Sequence, residues 1–378
     1  MMSTLRKGRC RLGQLLYLLL ALLAGLSGLS ACAFPGIPAT SAQLPLVPVT
    51  AQATPLPPIR LPQDEAPHKD LTEWWYYTGH LQARGNDGRL LHYGFELVFF
   101  QVLRSDLPPV YAAHFAISDV TRGQFHFAQQ RVLQLEPASA GAGSQGGFQL
   151  QVGPWRMQGR NGKDQLAAVM PDYALQLQLQ ALKPAVLHNG NGLITYGLAG
   201  FSYYYSRTRL AVSGLLVDHG QTLPVTGLAW MDHQWGNFLT LAGGGWDWFS
   251  LQLNDNSELM LYLIRDASKR VISTYVSFID PSGQDHLLPA SALHVQTLAT
   301  WLSPVTHARY PSGWLLTISD GRFSAQLTLQ PELKDQELVT YQSTGNAYWE
   351  GAVSIQGQSA GHAVDGEGYV ELTGYAAA

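Results

Sequence analysis

The sequence has few charged residues. Asp, Glu, Lys and Arg make up 13% of its 378 residues, and the formal net charge is −4. A nucleic-acid-binding protein carries clustered basic residues and a high pI, so no nucleic-acid partner is expected. No segment keeps an apolar period of 3.6 residues beyond about three turns, and long amphipathic helices are therefore not expected either.

Cysteine is almost absent. Cys10 and Cys32 are the two in the chain, and both lie near its N-terminus. Cys10 falls within a predicted leader segment, which leaves Cys32 as the single cysteine after it. The folded part is therefore expected to contain no internal disulfide.

The spacing of the candidate residues favours neither metal nor serine chemistry. The spacing of His and Asp does not match a zinc signature, so neither a metal nor a cofactor is expected. Asp232, His233 and Ser250 are the residue types of a catalytic triad, but their spacing does not favour one, and a triad is recognised by its geometry. A secreted hydrolase is therefore the weaker of the catalytic alternatives.

The first 31 residues have the features of an export signal. Four basic residues between positions 6 and 11 precede an apolar run over 15–26, which ends in Leu29-Ser30-Ala31-Cys32. This pattern resembles a bacterial lipoprotein signal, in which the cysteine is lipidated and becomes the first mature residue. The alternatives are an ordinary signal peptide or an uncleaved anchor, although the run is short of the about 20 residues that span a membrane. The prediction is an envelope protein anchored to a membrane through lipidated Cys32.

Composition divides the remainder of the chain into three parts. Residues 32–63 are rich in proline and are predicted to form an extended tether. Beyond them, two β domains are predicted over 64–217 and 218–378, with the boundary at the turn Asp218-His219-Gly220. Two domains of that length are of ordinary size.

Alternating and aromatic-rich segments predict an all-β fold. Phe148–Val152 and Tyr173–Ala181 alternate apolar and polar residues, which indicates strands with one buried face. Asn86-Asp87-Gly88 between two aromatic segments is typical of a hairpin turn. Many short antiparallel strands with closely spaced turns are typical of barrels or sandwiches.

The stretch over residues 225–252 concentrates the candidate chemistry. It holds four of the ten tryptophans together with Asp232, His233 and Asp247. Apolar walls with a few titratable groups are typical of a site for a hydrophobic ligand. The alternative interpretation is the core of a β-barrel with a polar turn between its strands.

Other segments add aromatic residues and one histidine. In the strand around Trp75, alternation places Trp74 and Tyr76 on one face and Trp75 and Tyr77 on the other, so both faces are expected to be covered. His114 lies in an apolar strand. It is interpreted either as a site residue or as a hydrogen-bonded interior histidine.

Five motifs occur in order along the chain. They are Thr72-Glu-Trp-Trp-Tyr-Tyr-Thr-Gly-His80, His114-Phe-Ala-Ile-Ser-Asp119, Tyr204-Tyr-Ser-Arg-Thr-Arg209, Trp230-Met-Asp-His-Gln-Trp-Gly236 and Gly245-Trp-Asp-Trp-Phe249. Together they resemble the carotenoid 1,2-hydratase-like family, also called AttH-like. The resemblance implies two lipocalin-like β-barrel domains with a ligand site between or within them. It also implies a likeness in fold to fungal Diels–Alderases, which act without a cofactor on long apolar substrates.

Hydrating an isoprenoid double bond needs a carboxylic acid, aromatic faces for the cation and a water molecule. For a family member, Asp232 or Asp247 is the predicted acid, and His233 is predicted to orient the water. The predicted ligand-binding residues are Trp75, Tyr77, His114, Tyr204, Trp230, Trp235, Trp246, Trp248 and Tyr262.

One position departs from the pattern of the true hydratases. There an aspartate follows a tyrosine by two positions, whereas here Tyr262 is followed by Leu263 and Ile264. This difference argues against carotenoid hydration. The sequence therefore predicts a protein that binds an isoprenoid, lipid or polyketide-like molecule and catalyses hydration, isomerisation or cyclisation of an alkene. A non-catalytic lipid carrier and a structural lipoprotein with a filled barrel are the alternatives.

Overall fold

The computed structural model describes residues 56–104, 107–133, 146–196, 200–238, 244–321 and 323–376. The predicted signal, Cys32 and the tether as far as residue 55 lie outside these ranges. No described helix combines the length and the apolarity needed to cross a membrane. The end of the predicted tether is packed, because Ile59 and Leu61 contact the core of the first sheet.

Twelve strands over the first described part form one antiparallel sheet. They are β1 (Thr72–Arg84), β2 (Leu90–Arg104), β3 (Leu107–Asp119), β4 (Gln124–Leu133), β5 (Phe148–Val152), β6 (Trp155–Arg160), β7 (Lys163–Met170), β8 (Tyr173–Ala181), β9 (Val186–Leu187), β10 (Leu193–Thr195), β11 (Phe201–Asp218) and β12 (Gln221–Gly236). The order across the sheet is β4-β3-β2-β1-β12-β11-β8-β7-β6-β5, and β9 and β10 pair with β11.

The first sheet curls on itself, since β4 and β3 at one end contact β5 at the other. The alternate residues on its concave side pack together as a continuous core that includes Trp75, Tyr77, Phe115 and Trp155. The period of two in strands such as β8, which is buried at every second residue, produces this division into an inner and an outer face.

Ten strands of the second described part form another antiparallel sheet, and two more form a separate hairpin. They are β13 (Gly245–Leu253), β14 (Glu258–Arg265), β15 (Val271–Ile279), β16 (Asp285–Leu288), β17 (Leu293–Thr297), β18 (Thr300–Leu302), β19 (Arg309–Pro311), β20 (Trp314–Ser319), β21 (Ser324–Pro331), β22 (Glu337–Val339), β23 (Ala347–Ser359) and β24 (His362–Leu372). The order is β16-β15-β14-β13-β24-β23-β21-β20-β17, β22 pairs with β23, and β18 pairs with β19.

The second sheet has its own core. Phe249, Trp314 and Trp349 lie in it among aliphatic residues of β14, β20 and β21. Three short 3-10 helices, Gln63–Glu65, His188–Gly190 and Ala290–Ala292, are the helical elements of the described residues. The all-β prediction is confirmed.

A third core lies between the sheets, where β1 contacts β24 and β2 contacts β23. Tyr76 and Trp230 from the first sheet meet Trp248 and Tyr262 from the second there. The chain passes from one sheet to the other between Gly236 and Gly245. The turn at 218–220, predicted as the domain boundary, is instead the hairpin that joins β11 to β12 within the first sheet.

Candidate functional site

A cavity of about 60 Å³ lies in the third core, within about 490 Å³ of empty space that includes open solvent. The lining residues are mostly aromatic and include three carboxylic acids: Trp74, Tyr76, Glu96, Val98, Phe100, Tyr204, Asp232, Gln234, Trp246, Trp248, Tyr262, Tyr348 and Glu371.

The first sheet supplies one wall through its strand register. Tyr76 on β1 pairs with Asp232 on β12 and with Val98 on β2. Trp74 pairs likewise with Gln234. Residues directly opposite in antiparallel strands project to the same side, so this register sets a row of side chains on the cavity face.

The second sheet supplies the facing wall in the same way. Trp248 on β13 pairs with Tyr262 on β14 and with Glu371 on β24. Trp248 meets Tyr76 edge-on across the gap, with ring centroids 5.3 Å apart, and Trp246 stacks against Trp74 at 6.3 Å. The walls are thus held in register by aromatic contacts.

Asp232 is a buried carboxyl surrounded by neutral donors. Tyr204 Oη donates to its Oδ2 over 2.7 Å, and Trp230 Nε1 donates to its Oδ1 over 2.6 Å. Ser206 Oγ also donates to Oδ1. Burial raises the pKa of Asp232 to about 7, although these hydrogen bonds favour the charged form.

A tryptophan of the second sheet completes this network. Trp248 Nε1 donates to Tyr204 Oη over 2.9 Å, and Tyr204 in turn donates to Asp232. The orientation of Asp232 in the first sheet therefore depends on a residue of the second sheet.

Glu371 faces the cavity from the second sheet. It is the more accessible carboxyl of the site, half-buried where Asp232 is 4% exposed. Trp246 Nε1 donates to Glu371 Oε2 over 2.6 Å. Burial, together with the nearby charge of Asp232, raises the pKa of Glu371 to about 7.

Glu96 is the third carboxyl of the cavity. Tyr348 Oη donates to its Oε1 over 2.9 Å, whereas its Oε2 is buried without a hydrogen-bond partner. Burial raises the pKa of Glu96 to about 8. Behind Tyr348, Nδ1 of His114 lies 2.6 Å from the same hydroxyl, and burial lowers the pKa of His114 to about 3.

Glu350 lies beside the cavity and is held by its wall. Tyr76 Oη donates to Glu350 Oε1 over 2.8 Å, and Oε2 is again buried and unpaired. Burial, together with the charges of Glu96 and Glu371, raises the pKa of Glu350 well above its usual range. Carboxyls this close cannot all ionise, so the site retains protons at neutral pH.

Five of the predicted site residues line this cavity: Asp232, Tyr204, Trp246, Trp248 and Tyr262. Two others lie just behind its wall. Trp230 donates to Asp232, and His114 contacts Tyr348. His114 therefore matches the interpretation as a hydrogen-bonded interior histidine.

Four predicted site residues face away from the cavity. Trp75, Tyr77, His233 and Trp235 project into the interior of the first sheet. Their placement beside Asp232 in one site was wrong, because each is an odd number of positions from a cavity residue on the same strand and so points to the opposite face.

Asp247 also lies outside the cavity. It sits between Trp246 and Trp248, so alternation turns it to the other face of β13, where Arg265 Nη2 lies 3.0 Å from its Oδ1. Tyr375 Oη donates to the same carboxyl over 3.0 Å. Asp247 is thus an ion-paired strand residue and has no access to the ligand space.

Among the described residues, Asp232, His233 and Ser250 do not form the serine triad that the sequence analysis considered. Asp232 and His233 point to opposite faces of β12, so they cannot share a proton. A Gly-x-Ser-x-Gly pattern does occur at 357–361, but Ser359 pairs with His362 in the β23–β24 hairpin. The nucleophile elbow of α/β-hydrolases is instead a strand-to-helix turn.

Sequence reasoning missed part of the site. Trp74 and Tyr76 were assigned to the correct face but not chosen as ligand-binding residues. Glu96 is the single acid of β2, and Glu371 lies between Val370 and Leu372 at the apolar end of β24, which also carries Asp365 and Glu367. An acid flanked by apolar residues was the available signal, since burial of an unpaired charge is costly.

A second polar cluster lies on the opposite face of the same strands. Glu73 Oε1 accepts hydrogen bonds from His68 Nδ1 and His233 Nε2, both over 2.8 Å. Burial raises the pKa of Glu73, but the bonds from His233 and His68 outweigh it and hold that pKa below the usual value. Burial lowers the pKa of His233 to about 4.

The profile of the AttH-like family matches residues 52–375. The chain belongs to the AttH-like family. The solved structure of an AttH protein from Nitrosomonas europaea is 30% identical, with a TM-score of 0.75, and the match covers 86% of this chain and all of that one. The comparison with curated proteins returned no match.

Two more distant structures share the fold. Kievitone hydratase from Nectria haematococca is 18% identical with a TM-score of 0.66, over 84% of this chain and 93% of that one. CghA is 12% identical with a TM-score of 0.55, over 85% and 95%. The two large antiparallel sheets match a lipocalin-like β-sandwich or barrel fold, as the sequence predicted.

Proposed function

We propose that this AttH-like protein binds an apolar small molecule with a carbon–carbon double bond in the cavity and catalyses cofactor-free acid–base chemistry on it. The observation that carries the proposal is the pair of carboxyls on opposite walls, Asp232 and Glu371, each with a pKa raised to about 7. A purely apolar carrier site has no need of protonatable groups, and burying them costs free energy.

The comparisons support this class of chemistry. Kievitone hydratase, which shares the fold, is by its name a hydratase. CghA, also of this fold, has been solved with the small molecule Sch210972.

In this proposal the two carboxyls, Glu371 and Asp232, have different roles. Glu371 is open to the cavity, and burial together with the charge of Asp232 raises its pKa to about 7, so a protonated fraction is available at neutral pH to an alkene carbon. The resulting carbocation lies among the rings of Trp246, Trp248 and Tyr262, whose π-faces stabilise positive charge.

Asp232 completes the reaction. Its three donors stabilise the ionised form, so it accepts the proton that the intermediate loses. Loss from an adjacent carbon gives an isomerised or cyclised alkene, and loss from an added water gives an alcohol. In each case one proton enters from Glu371 and one leaves to Asp232, so the pair is restored by exchange.

The test is proton transfer to carbon in D₂O. The purified protein is incubated with geranylgeraniol or with the compound that mass spectrometry identifies in an extract of the protein from its native host. Asp232→Asn and Glu371→Gln are each expected to lower deuterium incorporation by about 100-fold or more, while quenching of tryptophan fluorescence shows binding within a few-fold of wild type.

Asp164→Asn is the matched control. Asp164 is a buried carboxyl with a pKa of about 7, but it lies in the interior of the first sheet against Tyr77. Its variant should retain the wild-type rate. Binding without any deuterium incorporation by the wild type would leave the lipid-carrier alternative, and equal rates in both site variants would remove these carboxyls from the mechanism.

We further propose that the protein is exported and held at a membrane of the cell envelope through Cys32. The support is the sequence pattern of the leader. Cys32→Ser should move the protein from the membrane pellet to the soluble fraction, and an unchanged distribution would show that another feature attaches it.

A further inference from the structure

The buried cluster of His68, Glu73 and His233 brings together three side chains that commonly bind metal ions. One nitrogen of each histidine and one carboxylate oxygen lie within 4.8 Å of one another. His68 precedes β1, Glu73 begins β1, and His233 lies on β12, where it is two positions from the pairing partner of Glu73. The ligand atoms therefore converge from two adjacent strands and the segment that enters them.

The charge of Glu73 has no permanent counterpart. Its side chain is fully buried, and its ion-pair partners, His68 and His233, are charged only when protonated. A buried carboxylate is normally matched by a cation or coordinates a metal ion. A divalent ion between the three groups would supply the missing positive charge.

The surroundings hold the three groups in place. Gln101 Nε2 donates to Glu73 Oε2 over 3.1 Å, and the backbone N–H of His68 donates to the same oxygen over 2.8 Å. His233 lies between the rings of Trp75 and Trp235, each with its centroid 4.6 Å away. Ligating carboxylates and histidines in metal sites are typically fixed by such hydrogen bonds and packing.

We propose that His68 Nδ1, Glu73 and His233 Nε2 bind a divalent transition-metal ion of the zinc class. Two imidazoles and a carboxylate are a known zinc donor set, with the fourth position left to water or another ligand. Tetrahedral coordination places donor atoms about 3.4 Å apart. The two separations of 2.8 Å from Glu73 Oε1 would lengthen by about half an ångström, and the two imidazole nitrogens lie within 4.8 Å of each other.

Proton positions are compatible with this coordination. Each neutral imidazole presents a lone pair at the ligating nitrogen when its proton is on the other nitrogen. For His68 that other nitrogen, Nε2, lies 3.9 Å from Asp64 Oδ1. For His233 it is Nδ1, which is buried and has no hydrogen-bond partner among the described residues.

The bound ion would fasten the entry segment to the first sheet. His68 is about one-fifth exposed, whereas Glu73 and His233 are fully buried. Solvent therefore reaches the cluster from the side of His68. This site lies on the opposite face of β1 and β12 from the cavity, so the proposal is independent of the proposed reaction.

The test is metal binding by the full-length protein without an affinity tag, after dialysis against EDTA. Titration with ZnCl₂ alone, followed by calorimetry and elemental analysis, is expected to give one ion per chain and a higher melting temperature. Titration with CoCl₂ alone should give the visible absorption of a tetrahedral site. His68→Ala and Glu73→Gln should each weaken binding by more than about 100-fold, beyond the loss from changing a supporting residue.

His286→Ala is the control, since it removes a half-exposed histidine that pairs with Asp280 elsewhere in the fold; it should bind one ion as wild type does. His68 is partly exposed, so His68→Ala is expected to fold, which near-ultraviolet circular dichroism verifies. Absence of stoichiometric binding by the folded wild type, or undiminished binding by folded His68→Ala, would overturn the proposal. In either case the cluster is a hydrogen-bonded support for the entry segment.

Discussion

Asp232 and His233 are neighbours in sequence, yet they belong to different environments. Asp232 faces the cavity between the sheets, and His233 faces the core inside the first sheet. Each environment contains a buried carboxyl from β1 or β12: Asp232 lies on one face, and Glu73, which pairs with Trp235 three positions further along, lies on the other. The pKa of the first is raised and that of the second is lowered.

Both carboxyls are buried, so the difference between their pKa values comes from their hydrogen-bond partners. Asp232 is bonded by Tyr204, Ser206 and Trp230, whose donors are neutral and do not offset the loss of hydration. Glu73 is bonded by two histidines that gain charge when protonated. Burial alone therefore does not decide the protonation of a carboxyl, and of these two carboxyls Asp232 is the one suited to hold an exchangeable proton at neutral pH.

The largest expected effect is on the pH dependence of stability. The folded-state pKa of Asp232, about 7, exceeds its usual value of 3.8, so the folded protein binds the extra proton between these limits. The stability that this group contributes is complete below about pH 4 and is lost as pH rises through 7. Asp232→Asn should therefore gain up to about 4 kcal/mol relative to wild type between pH 4 and 8.

Urea denaturation across that pH range measures the difference. Glu73→Gln serves as the opposite case, because a lowered pKa contributes stability above the usual value of 4.5 that is lost as pH falls. A constant difference between wild type and Asp232→Asn over the whole range would contradict the contrast between the faces.

A smaller effect is expected from His233→Leu. The substitution keeps an apolar volume between Trp75 and Trp235 but leaves the Glu73 carboxylate without one of its donors. The free energy of unfolding at pH 7 should fall by about 3 kcal/mol. His286→Ala, which breaks a partly exposed pair with Asp280, is the control and should lower the free energy of unfolding by less than about 1 kcal/mol. Equal decreases in the two variants would show that the bond from His233 to Glu73 does not stabilise the fold more than a surface pair does.

The smallest expected effect is on the pKa of Glu371, on the wall that the second sheet supplies. Trp246→Phe keeps an aromatic ring but removes the N–H that donates to Glu371, and one such bond to a carboxylate amounts to about 1.5 kcal/mol. The pKa of Glu371 should rise by about one unit above its present value of about 7. Infrared titration of the protonated carboxyl band in D₂O measures this, with Trp301→Phe as a control outside the cavity; an unchanged midpoint would mean that Trp246 does not set the proton affinity of Glu371.

Much of the fold was predictable from local pattern. Strict alternation in Tyr173–Ala181 gave the strand β8 with one buried face, as found. Trp74 and Tyr76 were correctly separated from Trp75 and Tyr77 by the same rule. The choice between the two faces as ligand site was wrong, because both are aromatic and both are buried, and the sequence does not say which one faces a cavity.

The candidate site was predictable only in part for the same reason. Asp232, Trp246 and Trp248 were identified from the density of aromatic and acidic residues over 225–252. Glu96 and Glu371 lie more than 100 residues from that stretch in either direction and reach the cavity through pairings of β2 with β1 and of β24 with β13. Cross-strand register of this kind is set by the whole sheet and not by local composition.

The sequence by itself determined that this is an all-β member of the AttH-like family and which residues of a strand share a face, since alternation and motif order are local properties. The tertiary structure decided which face is which. Two sheets that each enclose a core leave a third surface between them, and only the residues directed to that surface meet. On that surface Asp232 lies opposite Glu371. His233 points the other way, towards Glu73, because successive residues of a strand point to opposite sides.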